Sequence, residues 1–241
     1  MDAIESLLRR AEGQGVKISG IKPIAVPGRG IGVVAIHDIK EGDAIMTVPI
    51  EAIRSLHTIP EDISCQLSPE MTIHGLLAAE LALHRNPTAD WAGLVPQWTD
   101  FEATVPMLWP EELQLLLPAE AKRILAKQLA RFKIDWDTFR KGFPNQDRRD
   151  YLYAWLLVNT RAFYFDMNNM MSYPWHDRLA LLPVADLFNH ANTGCIVSLM
   201  TEHYIITADR PYRASEEMCI SYRDHSNNYL ISEYGFLLRD N

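Results

Sequence analysis

The apolar period of this chain changes twice, and that limits its fold more than any single motif. Residues 1–50 open with helical spacing over Ala3–Glu12, where Ile4, Leu7, Leu8 and Ala11 fall at i, i+3, i+4 and i+7 before Gly13 and Gly15 stop it. Short strand patterns follow at Val16–Ile18, Ile24–Val26, Gly32–Ile36 and Ala44–Val48. The turn signals Pro27-Gly28-Arg29-Gly30 and Lys40-Glu41-Gly42-Asp43 separate them, which predicts β hairpins. Residues 51–180 switch to helical spacing, with helices expected at Met71–His84, Glu111–Leu117, Ala119–Phe132 and, as the longest, Asp147–Phe165. The last carries two adjacent apolar rows, Tyr151, Trp155, Val158, Ala162 and Leu152, Leu156, Phe163, a surface broad enough for a buried helix. Residues 181–241 return to strand patterns at Ile196–Leu199, His203–Thr207 and Met218–Tyr222. No strand–helix–strand alternation appears, which argues against a doubly wound sheet. The reading is α+β, a mainly β core with helices inserted between its two halves.

Composition narrows the function classes. With 241 residues, 48% of them apolar, the chain can bury a real core. Its 23 basic residues against 31 acidic ones give a net charge of −8, which argues against non-specific nucleic-acid binding and suits a cationic protein partner. A solvated acidic surface accounts for the same charge. No apolar run approaches a membrane span. The acidic start MDAIESLLRR lacks a signal-peptide pattern, so cytoplasm or nucleus is the default expectation. Cys65, Cys195 and Cys219 are far apart with no CxxC, so structural zinc and a disulfide framework are not expected, and all three read as small buried hydrophobes.

Four blocks carry candidate chemistry. Pro27 to Ala35 is glycine-dense, but Val33 stands where a dinucleotide fingerprint needs glycine, and a strand pattern follows instead of a helix. Such a loop lets a ligand approach the backbone, or is a plain hairpin turn. Asp186-Leu187-Phe188-Asn189-His190 clusters polar groups after an apolar stretch, as half of an active site or as turn chemistry. No nucleophile elbow accompanies His190, and a metal would need two further ligands. Arg161 lies in a very apolar helix, where it either snorkels or meets a carboxylate. Ser221 to Asn227, then Glu233-Tyr234-Gly235-Phe236, is either a site or a capped loop with two core tyrosines.

Taken in order, these blocks resemble the SET-domain methyltransferases, within them the subgroup of plant Rubisco large-subunit lysine methyltransferase and its fungal and animal relatives. The resemblance rests on Arg29 to Ala35 with Asp38 to Asp43, Asn159-Thr160-Arg161-Ala162-Phe163, Asp186 to His190, and Tyr222 to Asn227 with Tyr234-Gly235-Phe236. It covers about half the chain, residues 16–50 and 153–238. The fold it implies is one of small curled sheets with a C-terminal pseudoknot and a large helical insertion. The domain would then run 1–60 and 151–241, with 61–150 inserted. The implied methyl donor is S-adenosylmethionine, and the implied substrate is a lysine-containing protein, with a basic one suiting the charge.

The same resemblance assigns roles by position. Arg29, Gly30 and Ile31 would hold the donor through the loop backbone, with Asn189 and His190 on its adenosine and methionyl parts. Arg161 would lie where donor and substrate meet. Phe165 and Asp186 would line the target channel. Tyr222 would be the catalytic tyrosine, and Tyr234 a second tyrosine serving both donor and channel; no metal is implied. Histidine is an alternative target, since the wider subgroup includes such members. A weakly active SET-like binding module and a small-molecule enzyme are rival readings. Two departures bear on this. The subgroup continues into a helical docking domain, expected to be absent or truncated after Leu238-Arg239-Asp240-Asn241, and Arg223 stands where relatives often have glycine.

Overall fold

In a computed structural model the described residues are 3–84, 89–167, 170, 172–239 and 241. In chain order they form α1 (Ala3–Gly13), β1 (Lys17–Ile18), β2 (Ile21–Val26), β3 (Gly30–Ala35), β4 (Ala44–Pro49), α2 (Glu61–Ser64), α3 (Ile73–Leu83), α4 (Ala89–Ala92), α5 (Trp98–Thr104) and α6 (Glu111–Gln114). Then come α7 (Ala119–Gly142), α8 (Arg148–Arg161), β5 (Phe163–Tyr164), β6 (Leu179–Ala180), β7 (His190–Leu199), β8 (His203–Thr207), β9 (Glu217–Met218) and α9 (Asn227–Tyr234). Two compact units result. One holds the chain up to Ile53, a short segment around Trp91, and Leu182–Asp224; the other holds the rest.

The first unit is the β unit. β2 and β3 form a hairpin in register from Ile21↔Ala35 to Val26↔Gly30, and β9 adds to the far side of β3. A second sheet runs β1-β4-β8-β7, antiparallel throughout. Val33, Val34, Ala35, Ile45, Met46, Val48 and Ile206 are all buried, which is what the apolar runs of β3 and β4 require.

A threaded segment completes this unit. Only the last four residues of β7, Ile196–Leu199, pair with β8. Its first part arcs around Ile220, whose N–H donates to the Asn189 carbonyl at 3.0 Å, while the Cys195 N–H donates to the Cys219 carbonyl at 2.8 Å. Both contacts run parallel, His190↔Ile220 and Cys195↔Ile220. This is the pseudoknot: a later segment gripped at both ends of an earlier arc. A Cβ on Gly194 would fall on the Cys219 carbonyl oxygen, so the arc closes only on a bare backbone.

Among its described residues the second unit is helical apart from the two-residue β5–β6 pair. Nearly all of α3 is buried, and it packs on α8 through polar as well as apolar groups. The Asp177 carboxylate caps α3, accepting from the backbone N–H of Ile73 at 2.8 Å and of His74 at 3.1 Å. Asp135, from α7, accepts from the Thr72 hydroxyl at 2.7 Å and the Trp155 indole at 2.9 Å. The His74 ring stacks on Trp155, centroids 4.2 Å apart, and donates to the Trp155 carbonyl at 2.9 Å. α9 is held by Glu233, which accepts from Gln128 and Arg131, while Asn159 donates to its carbonyl.

Several expected boundaries move. α7, not the Asp147–Phe165 segment, is longest, at 24 residues against 14 for α8. Its buried stripe continues past Phe132 through Asp135 and Phe139, and the buried acid hides the apolar period there. α8 ends at Arg161 because Ala162 turns extended and Phe163–Tyr164 pair with Leu179–Ala180. The Glu111–Leu117 helix is one turn, ending at Gln114. Met218–Tyr222 is no continuous strand, since Ile220 bonds to the arc instead. Cys65 is exposed and Cys219 half-buried; only Cys195 is fully buried as expected.

Two outcomes follow. Gly194→Ala should lower stability by about 1–3 kcal/mol, the usual cost of overpacking a closed site; an unchanged melting temperature would show that the arc shifts freely. Burial lowers the His74 imidazole from 6.5 to about 3. A base depressed in the folded state stays neutral there, so its contribution is whole above about pH 6.5 and is lost as pH falls, at up to about 1.4 kcal/mol per unit, until about pH 3. Burial raises Asp135 and Asp177, whose protonation works in the opposite sense. An NMR titration of the His74 ring should therefore show no midpoint between about pH 8 and pH 4; a midpoint near 6.5 would contradict a buried neutral ring.

Candidate active site

The β unit gathers Arg29, Gly30, Ile31, Asp186, Asn189, His190 and Tyr222, from segments more than 150 residues apart in sequence. Threading does most of this. Ile220 is fixed by the arc, and Tyr222 follows two residues later. The Tyr222 N–H donates to Nδ1 of His190 at 3.0 Å, so that nitrogen is the acceptor and Nε2 carries the proton. The two rings stack with centroids 4.9 Å apart. The Tyr222 hydroxyl donates to the Phe188 carbonyl at 2.7 Å. A phenol that donates in this way can still accept a hydrogen bond.

The glycine loop lies on the same unit. Gly30 has φ of 72°, the left-handed region that favours glycine, and a Cβ there would meet nothing within 4 Å. The backbone at Gly30 is therefore open to a ligand. Gly32 is the reverse case: its Cβ would lie 2.7 Å from Asn189 Nδ2 and 2.8 Å from Glu217 Oε1. The Arg29 side chain, still partly exposed, folds along the surface to donate to Glu217 at 2.8 Å and to the His190 carbonyl at 2.8 Å. Asn189 Nδ2 donates to the other Glu217 oxygen at 2.9 Å. Burial, reinforced by the Glu217 carboxylate, pushes the nearby Cys219 thiol up, which keeps it protonated.

Asp186 is buried and accepts a hydrogen bond from the Trp91 indole. It sits in a single turn, Ala185–Leu187, entered through Val184 at φ 68°. That angle is rare for a β-branched residue and marks a tightly determined corner. Arg223, just past Tyr222, also has positive φ, 95°, which gives a physical reason for glycine at this position.

Arg161, Phe165 and Tyr234 belong to the helical unit. Arg161 is the last residue of α8, Phe165 is buried just after β5, and Tyr234 closes α9. Around Tyr234 lie His225, Tyr229 and Phe236, with His225 stacked on Tyr229 at 4.0 Å. Sequence reasoning missed Glu217 and Trp91. Glu217 hides in the turn-like run Ser215-Glu216-Glu217, and only strand pairing with Val34 reveals which acid faces the loop. Trp91 carries no local signal, being brought to Asp186 by the fold.

Known proteins resemble this chain over most of its length. Ribosomal lysine N-methyltransferase set11 of Schizosaccharomyces pombe is 25% identical over 90% of this chain and 56% of its own length. SET domain-containing protein 4 of Mus musculus is 28% identical over 89% of this chain and 54% of its own. The chain thus spans about half the length of these curated relatives. The crystal structure of the SET domain of LSMT bound to MeLysine and AdoHcy superposes with a TM-score of 0.76 over 100% of this chain and 58% of that one, at 21% identity, a likeness of fold. The SET domain model matches residues 30–223, from the glycine loop to the residue after Tyr222. Spanning that much of the chain, the match shows that this protein belongs to the SET-domain family.

Proposed function

We propose that this protein transfers a methyl group from S-adenosylmethionine to a lysine side-chain amine of a protein substrate. The observation that carries the reading is the Tyr222 hydroxyl, pinned to the Phe188 carbonyl and backed by His190, on the unit that also holds the open Gly30 loop. The relative named a ribosomal lysine N-methyltransferase and the neighbour solved with methyllysine and AdoHcy support it.

The residues fit such a donor. The Gly30 backbone is open, and Asn189 and His190 lie beside the loop through Glu217 and Arg29. When bound, S-adenosylmethionine supplies an electrophilic methyl on a cationic sulfonium. Arg29, Gly30, Ile31, Asn189 and His190, all of the β unit, would hold it. On the same unit, Asp186 would face the target side chain. Tyr222 would orient the attacking amine through its phenol oxygen, held in place by the bond to Phe188. Lysine has an ordinary pKa of about 10.4, so presenting it neutral near pH 7 costs roughly 4–5 kcal/mol. A water-excluding channel lowers that cost by disfavouring the ammonium. The rest is positioning. The net charge of −8 favours a basic segment around the target lysine.

Transfer of labelled methyl to protein in a cell extract tests the reaction, and calorimetric titration with the donor separates an enzyme from an inactive module of the same fold. Tyr222→Phe should cut turnover by about 10²-fold, on the order of 3 kcal/mol. Losing the bond to Phe188 should cost only about 1 kcal/mol of stability. Near-normal turnover of the phenylalanine variant would overturn the role of Tyr222. Tyr234→Phe should cost less turnover, and the reverse ranking would exchange the two roles.

A further inference from the structure

We propose that Glu217 is a positioning residue that presets the donor site, acting through the side-chain amide of Asn189. The inference rests on the methyl-donor reading given above. Glu217 lies on β9, held to β3 by the pairing Val34↔Glu217. Its two oxygens serve different segments. Oε2 accepts from Arg29 Nη1 at 2.8 Å, and Oε1 accepts from Asn189 Nδ2 at 2.9 Å. Arg29 Nη2 reaches on to the His190 carbonyl at 2.8 Å. These bonds close a ring through the glycine loop, the start of β7 and β9.

The chemistry of that ring is directional. An ionised carboxylate only accepts hydrogen bonds. It therefore selects the orientation of Asn189 in which the NH₂ group faces Glu217, and leaves the Asn189 carbonyl oxygen as the group offered elsewhere. Without the carboxylate the amide can rotate by half a turn and offer a donor instead. An acceptor suits a ligand ammonium, such as that of an amino-acid-like methyl donor, and a donor repels it. Gly32 seats the pair, because a Cβ there would collide with both Asn189 Nδ2 and Glu217 Oε1.

Burial separates this role from simple stabilisation. The Arg29 and Glu217 side chains are 41% and 23% exposed. An ion pair this open contributes little to folding. Its effect should appear in donor affinity rather than in melting temperature.

The test is calorimetry with S-adenosylhomocysteine on four proteins: wild type, Glu217→Ala, Asn189→Ala and the double variant. Glu217→Ala should weaken binding by about tenfold in the wild-type background and by no more than about twofold in the Asn189→Ala background, because coupled groups are not additive. Glu217→Gln, which keeps the shape but lets Asn189 rotate, should weaken binding in the same direction, and it carries the test if the alanine variant does not fold. Melting temperatures should stay near that of the wild type. Unchanged affinity in folded Glu217 variants overturns the inference while leaving the donor reading intact. An equal loss with and without Asn189 overturns it too, since Glu217 would then act on its own. A wild-type protein that does not bind S-adenosylhomocysteine overturns the donor reading, and this inference with it.

Discussion

The β unit depends on the grip of residues 189–195 on Ile220. Two backbone hydrogen bonds, from Ile220 to the Asn189 carbonyl and from Cys195 to the Cys219 carbonyl, close an earlier segment around a later one. The two segments meet through isolated bridges to Ile220 rather than a continuous ladder, and each donates one backbone hydrogen bond to the other. That mutual bonding places Phe188, Asn189 and His190 against Tyr222, although 32 residues separate His190 from Tyr222. Gly194 permits the closure because the Cys219 carbonyl occupies the space a side chain would need.

Site order is then a matter of hydrogen-bond polarity. The Tyr222 N–H fixes the tautomer of His190, the Phe188 carbonyl takes the Tyr222 proton, and Glu217 orients Asn189. Each partner is a backbone group or a carboxylate whose role cannot invert, so the polarity presented to a ligand is set before the ligand arrives. The positive φ values at Val184 and Arg223 bracket this region in sequence, as strained corners do where the surrounding structure over-determines the backbone.

The helical unit uses buried polarity differently. His74, Asp135 and Asp177 lie within it, each hydrogen-bonded to a helix end, a hydroxyl, an indole or a carbonyl. A satisfied buried polar network adds specificity more than stability, because partial satisfaction is costly. It fixes the register of α3 on α8 and, through Asp135, of α7 on both. Glu233 does the same for α9, the helix that ends at Tyr234.

Periodicity alone determined the order of strands, inserted helices and strands, the clustering of glycines and polar residues singled out the loop and the blocks around His190 and Tyr222, and resemblance added their roles. These are local signals: spacing reports which face of an element is buried, and a block carries its chemistry within a few residues. The full length of α7 was not legible, because the buried Asp135 breaks an apolar stripe that tertiary hydrogen bonds sustain. Nor was the single turn at Glu111–Gln114 or the short β9, whose neighbour Ile220 is claimed by the arc. Only the tertiary structure decided that Glu217, and not Glu216, meets Arg29 and Asn189, and that Trp91 bonds to Asp186. The physical reason is distance along the chain: a carboxylate's partner 188 residues away leaves no period, spacing or turn signal in the sequence around it.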